Sequence, residues 1–288
     1  MTLREIAVHY GSDAGARERL DVAVALAGEH GARVTGVFSE DDRRPSARGD
    51  GAAEARGAFE AATDAAGVEH AWRAAEVDAH AAVATAARFA DLAILGQPDP
   101  ERDSLPLDFP ADVALTGGGP VLALPHAGRF ERVGRRVMIA WNGSREAARA
   151  VRDALPLLVR ADEVTVHSIL PNSDAAPAVD ELQSWLERHG VNARFSHEIL
   201  SGEAEAVSAS LSAVGGFGFQ QRTPLTSDRH VAMARPDVGP ALLSAVADAG
   251  SDLLVMGVYG HSRLRELLFG GVTREVLRSM TVPVLMSA

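Results

Sequence analysis

Short apolar runs recur along the chain, each leading through a small polar turn into a longer stretch of mixed polarity. IAVHYGS at 6–12 precedes DAGARERLDVAVALAGEHG, and MIAWNGS at 138–144 precedes REAARAVRDALPLLVRAD. A second apolar run follows each stretch, ARVTGVF near 32–38 and EVTVHSIL at 163–170. DLAILG at 91–96 matches DLLVMG at 252–257, and GPVLALP at 119–125 matches VPVLMSA at 282–288. Runs without strict apolar–polar alternation predict parallel strands buried on both faces. Strands alternating with helices predict an α/β protein with right-handed crossovers. The fold predicted is two tandem open, mostly parallel five-stranded sheets with helices on both faces.

The matching runs make the chain an internal repeat. One domain is expected over 1–126 and a second over 134–288, joined by the polar segment HAGRFERVGR at 126–135. With Gly-Ser set against Gly-Ser, the second half carries about 29 extra residues. The pattern breaks between about 200 and 236, where small residues surround GGFGFQQ. This insertion reads either as a lid or partner-binding arm, or as a surface insertion.

Composition narrows the partners. Over 288 residues the hydrophobic fraction is 47%, enough for full cores, and the net charge is −11. That balance disfavours nucleic acid, which needs a basic face. There is no cysteine, hence no disulfide, thiolate metal site or cysteine nucleophile. No apolar stretch approaches a membrane span, and the first residues, MTLREIAVHYGSD, do not read as a signal peptide. A cytoplasmic protein is the expectation. The histidines show no metal-ligand spacing, and no GxSxG elbow or other catalytic constellation appears.

The candidate chemistry lies in GVYGHSRLRELLFGGVT, residues 257–273. Its glycines fall between a strand end and a helix start, where backbone approaches a ligand closely and N–H groups meet anions. The chain contains no lysine, all 28 basic residues being arginine, so neither a GxxxxGK[ST] loop nor a kinase lysine is available. Any phosphate here is held by backbone amides, hydroxyls or arginine. The same glycines also suit turns and caps that need positive φ. Asn142-Gly143-Ser144 reads as a strand-to-helix turn capped by Ser144, with Asn142 open to a ligand role. His261 is either a phosphate contact or a surface turn residue.

The spacing Gly257-x2-Gly260-x9-Gly270, the strand before it and the duplication together resemble the universal stress protein family in its tandem form. The resemblance spans nearly the whole chain outside the insertion. It implies an adenine nucleotide alpha hydrolase-like, Rossmann-like fold that binds ATP or AMP, with magnesium carried by the nucleotide. The implied nucleotide set is Asn142, Gly143, Ser144, Ile169, Gly257, Gly260, His261, Arg263, Gly270, Gly271, Val272 and Thr273. Two positions depart from the family pattern. Asn142 stands where an acidic residue is usual, and Gly271 where serine or threonine is usual. Resemblance also implies pairing of the last strands, here within one chain as a pseudo-dimer, with room for a homodimer and a further protein partner.

The first half departs further. Tyr10 is set against Asn142, and after Gly96 the chain reads QPDPERDSLPLDFPAD, with no second glycine at the family spacing. Its prolines remove amide donors and its acids repel phosphate, so no nucleotide is expected there. Three activities follow as alternatives: a nucleotide-binding stress sensor or effector, a nucleotide-free interaction module of the same fold, or a slow ATPase.

Overall fold

The computed structural model describes residues 2–11, 13–39, 51–75, 77–99, 101, 103, 105–170, 178–200, 238–258 and 271–288. The insertion at about 200–236 lies outside them, apart from its first residue, as does the loop 259–270.

The first half runs β1 (Glu5–His9), α1 (Ala16–His30), β2 (Arg33–Ser39), α2 (Gly51–Ala65), β3 (His70–Ala75), α3 (Ala79–Ala87), β4 (Leu92–Gly96), α4 (Phe109–Gly117) and β5 (Val121–Leu124). The second runs β6 (Arg136–Ala140), α5 (Arg145–Leu158), β7 (Glu163–Leu170), α6 (Val179–Arg188), β8 (Ala193–Ile199), α7 (Val238–Asp248), β9 (Leu253–Gly257), α8 (Gly271–Ser279) and β10 (Val284–Ser287). The middle of each inner strand is apolar because both faces are covered: Ile6, Val8, Ile94, Leu95, Leu253, Leu254 and Val255 are completely buried. Helices α1, α2, α5 and α6 pack on one face. Helices α3, α4, α7 and α8 pack on the other.

The two predicted sheets form one. Its ten strands run β3-β2-β1-β4-β5-β10-β9-β6-β7-β8, each half repeating the same order from its outer edge inward. All pairings are parallel except β5 with β10, where Leu122 faces Leu285. The last strand of each half thus covers the edge of the other, which removes two exposed strand edges. This is the pseudo-dimer pairing expected of the terminal strands.

Strand pairing also sets the register of the repeat. Glu5 pairs with Arg33 in one half, and Arg136 with Glu163 in the other. The two cross-strand ion pairs keep their positions and exchange their signs, at 2.7 and 3.3 Å. Asp91 accepts the N–H groups of Arg4 and Glu5, and Asp252 those of Gly134, Arg135 and Arg136. Tyr10 N donates to Val37 O and Trp141 N to His167 O, both at 2.9 Å. Tyr10 therefore corresponds to Trp141, and Gly11 to Asn142, which corrects the Gly-Ser alignment by one residue. The hydrogen-bond ladder counts residues from the strand, whereas the dipeptide match counted them from the turn.

Candidate functional site

Strand β6 is flanked by β7 and β9, and the chain leaves it in opposite directions to reach them. This is the switch point of the second half, the crevice where open parallel sheets receive ligands beyond their strand carboxyl ends. β1 is the equivalent strand of the first half, between β2 and β4.

The turn from β6 into α5 is built locally. Asn142 Oδ1 accepts the Ser144 N–H at 3.1 Å, and Ser144 Oγ accepts the Ala147 N–H at 3.1 Å. Between them Gly143 has φ of 73°, which favours glycine. Ser144 is thus the N-cap of α5. Ser144→Ala is expected to cost about 1 kcal/mol of unfolding free energy, measured by urea denaturation.

Ala147 also carries the long-range contact of the site. A Cβ built on Gly257 would lie 2.4 Å from the Glu146 carbonyl carbon and 2.5 Å from Ala147 N. The end of β9 therefore lies directly on the first turn of α5. Gly143, Ser144 and Gly257 come together there, with Asn142 exposed beside them. Ile169 lies on the other side of β6, half-buried towards the α7 and α8 face. Gly271 opens α8 and is exposed, Val272 is half-buried and Thr273 is 7% exposed, so the threonine hydroxyl belongs to a buried side chain. Gly260, His261, Arg263 and Gly270 lie outside the described residues.

The two helix starts differ electrostatically. The first turn of α5 carries Glu146, whose side chain is 11% exposed and paired with Arg145 at 2.9 Å. The first turn of α8 carries no acid. A helix N-terminus attracts anions, and a carboxylate already in place repels a second one. Of the two, α8 is the better suited to phosphate.

Among the described residues, Trp141 Nε1 and His167 Nε2 are buried near these strand ends without a hydrogen-bond partner, as is Ser287 Oγ at the end of β10. Burial pushes the His167 pKa down, favouring neutral imidazole, while Nδ1 lies 2.9 Å from Ser196 Oγ. Neither Trp141 nor His167 stands out in the sequence, since each sits within an apolar run.

The first half fills its own crevice. Arg19 is 4% exposed, and its Nε donates to His9 O at 2.7 Å. Its two terminal nitrogens grip both oxygens of Asp13, at 2.8 and 2.5 Å. A Cβ on Gly96 would lie 2.6 Å from the guanidinium, so the fork lies between the ends of β1 and β4. Burial alone raises the Asp13 pKa, but the hydrogen bonds and charge of Arg19 outweigh it and hold it at about 2. Matching the buried positions of α1 and α5, Leu20 with Val151, Ala23 with Ala154 and Ala27 with Leu158, puts Ala150 at the position of Arg19 in the second half. The loop after Gly96 uses its own amides: Asp99 N donates to Asp103, and Glu101 N to Asp99.

A cleft of about 450 Å³, lined in part by Phe130, Asp252 and Pro283, lies at the opposite end of the sheet, by the amino ends of β9 and β10. Its Asp252 carboxylate already accepts three backbone N–H groups. Among the described residues no cluster of metal-ligating side chains is found, and no helix is long and apolar enough to cross a membrane.

A doubly wound α/β sheet whose two halves share one strand order, each with its own switch point, defines the class of fold. The chain belongs to the universal stress protein family, whose sequence profile matches residues 134–287, more than half of it. Universal stress protein Slr1230 from Synechocystis is 47% identical over 45 residues, a stretch spanning 16% of each chain. A universal stress protein structure from Archaeoglobus fulgidus superposes with a TM-score of 0.64 at 13% identity, covering 98% of this chain and 95% of the other. The structure titled a putative universal stress protein from Pseudomonas aeruginosa gives 0.61 at 15% identity, covering 99% and 93%. At these identities the structural likeness concerns the fold alone.

Proposed function

We propose that the chain binds one adenine nucleotide, ATP or AMP, at the carboxyl end of its second half, and acts as a stress-response sensor or effector. The observation that carries this reading is the asymmetry of the two switch points. The first is filled by a buried arginine–aspartate pair and followed by a loop whose own carboxylates take its amides. The second has alanine in place of the arginine, a left-handed glycine in its turn, an exposed Asn142 and a helix start free of acid. Backbone amides near Gly270–Thr273 would hold the phosphates, and Asn142 and the backbone near Ile169 the nucleoside. Any magnesium would arrive with the nucleotide. Occupancy would alter a binding surface, biasing a conformational equilibrium.

Asn142 also supports the competing reading, a nucleotide-free module, because its Oδ1 is already engaged by Ser144 N–H. Mass spectrometry of ligand released from purified protein, followed by calorimetric titration with AMP and ATP, decides between them. One site per chain is expected, with at most slow turnover in an ATP hydrolysis assay. Absence of both bound nucleotide and affinity, or two equivalent sites per chain, would overturn the proposal.

A further inference from the structure

The two ends of α8 serve different halves of the molecule. Its amino end completes the candidate nucleotide loop, while its carboxyl end meets the first half. The last carbonyls of a helix have no partner within it. Two of these in α8 are satisfied by one side chain: Gln97 Nε2 donates to Leu277 O at 2.6 Å and to Arg278 O at 3.2 Å. Gln97 is the residue after β4 and is 4% exposed.

Its other end is equally committed. Gln97 Oε1 accepts the His126 backbone N–H at 3.1 Å and faces His126 Nδ1 at 2.9 Å. A primary amide offers two donors and an oxygen with two lone pairs, and here all four are used. The amide cannot be turned over, because that would set oxygen against two carbonyls and nitrogen against an N–H. The same geometry requires the His126 proton on Nδ1. At the equivalent position of the second half stands Val258, completely buried and unable to reproduce the link. That half reaches back through Arg149, half-exposed, which donates to Gly118 O at 3.2 Å.

A helix of nine residues is too short to persist without tertiary support. We propose that Gln97 is a positioning residue for the nucleotide site: by holding the carboxyl end of α8 it fixes where the first turn of that helix meets the ligand. The inference rests on the nucleotide reading above. The first half, with its own switch point filled, acts as the support for the site in the second, through the first residue after β4.

The test uses the full chain with Gln97→Leu and Gln97→Glu, the latter keeping shape while leaving at most one donor where the amide has two. Hydrogen exchange across 271–279 and the Kd for AMP are measured together. Exchange in α8 should accelerate about tenfold or more, with exchange in α4 unchanged. AMP affinity should fall about five- to tenfold, the scale of a lost buried hydrogen bond. Unchanged exchange in α8 overturns the proposal, as does faster exchange with unchanged affinity. Should Gln97→Leu fail to fold, Gln97→Glu alone decides. Unaltered protein that fails to bind AMP overturns the nucleotide reading and the positioning role with it. Unaltered protein that binds AMP as tightly as its variants do overturns the positioning role alone.

Discussion

Gly257→Ala is expected to cost about 3 kcal/mol or more of unfolding free energy, seen as a lower urea midpoint at unchanged slope. The added methyl would sit 2.4 Å from one backbone atom of α5 and 2.5 Å from another. Neither can yield easily. Ala147 N is held by the Ser144 cap, and β9 is laddered to β6 on one side and β10 on the other. Gly28→Ala makes the control, since nothing lies within 4 Å of its Cβ position and it is exposed within α1. That substitution is expected to be neutral or to stabilise by about 0.5–1 kcal/mol. Equal midpoints for Gly257→Ala and the unaltered protein would contradict the close seating of β9 on α5.

Arg19→Ala is expected to destabilise by about 3 kcal/mol, because it strips a mostly buried carboxylate of its partner and opens a cavity beside Gly96. Lysine should restore little, since a point charge cannot grip both Asp13 oxygens and His9 O together. The effect has a defined pH dependence. With the Asp13 pKa lowered from 3.8 to about 2, the carboxyl contributes stability that is fully present above pH 4. It is lost as pH falls through 2, with an amplitude of about 2 kcal/mol. The gap between Arg19→Ala and unaltered protein should therefore narrow from pH 5 to pH 2. A gap independent of pH over that range would show that the ion pair is not what Arg19 supplies.

Local features of the site were legible in the chain because their causes are local. The Ser144 cap needs only a hydroxyl three residues before an amide, and the Asn142 turn only two residues. The α8 start and the β7 bounds follow from short patterns of the same kind. Arg19 was not legible: between Glu18 and Leu20 it reads as one more solvated residue of an amphipathic helix. Its burial depends on Gly96, far along the chain, leaving room for the guanidinium. Gln97 opens an acidic, proline-rich loop, and nothing near it in sequence reveals two helix carbonyls from the other half. Gly257 has the spacing of a ligand glycine, and its packing against α5 is a second requirement that the sequence does not show.

The sequence by itself determined the α/β alternation, the repeated strand order and the family. These rest on periodicity, spacing and composition, which act over one turn of helix or one strand. Only the tertiary structure decided that the two sheets are one, that the repeat is offset by a residue, and that the first crevice is filled from within. Those outcomes depend on which backbone edges and charged groups meet across large sequence separations, where hydrogen-bond ladders and buried ion pairs have single satisfactory arrangements that short patterns do not encode.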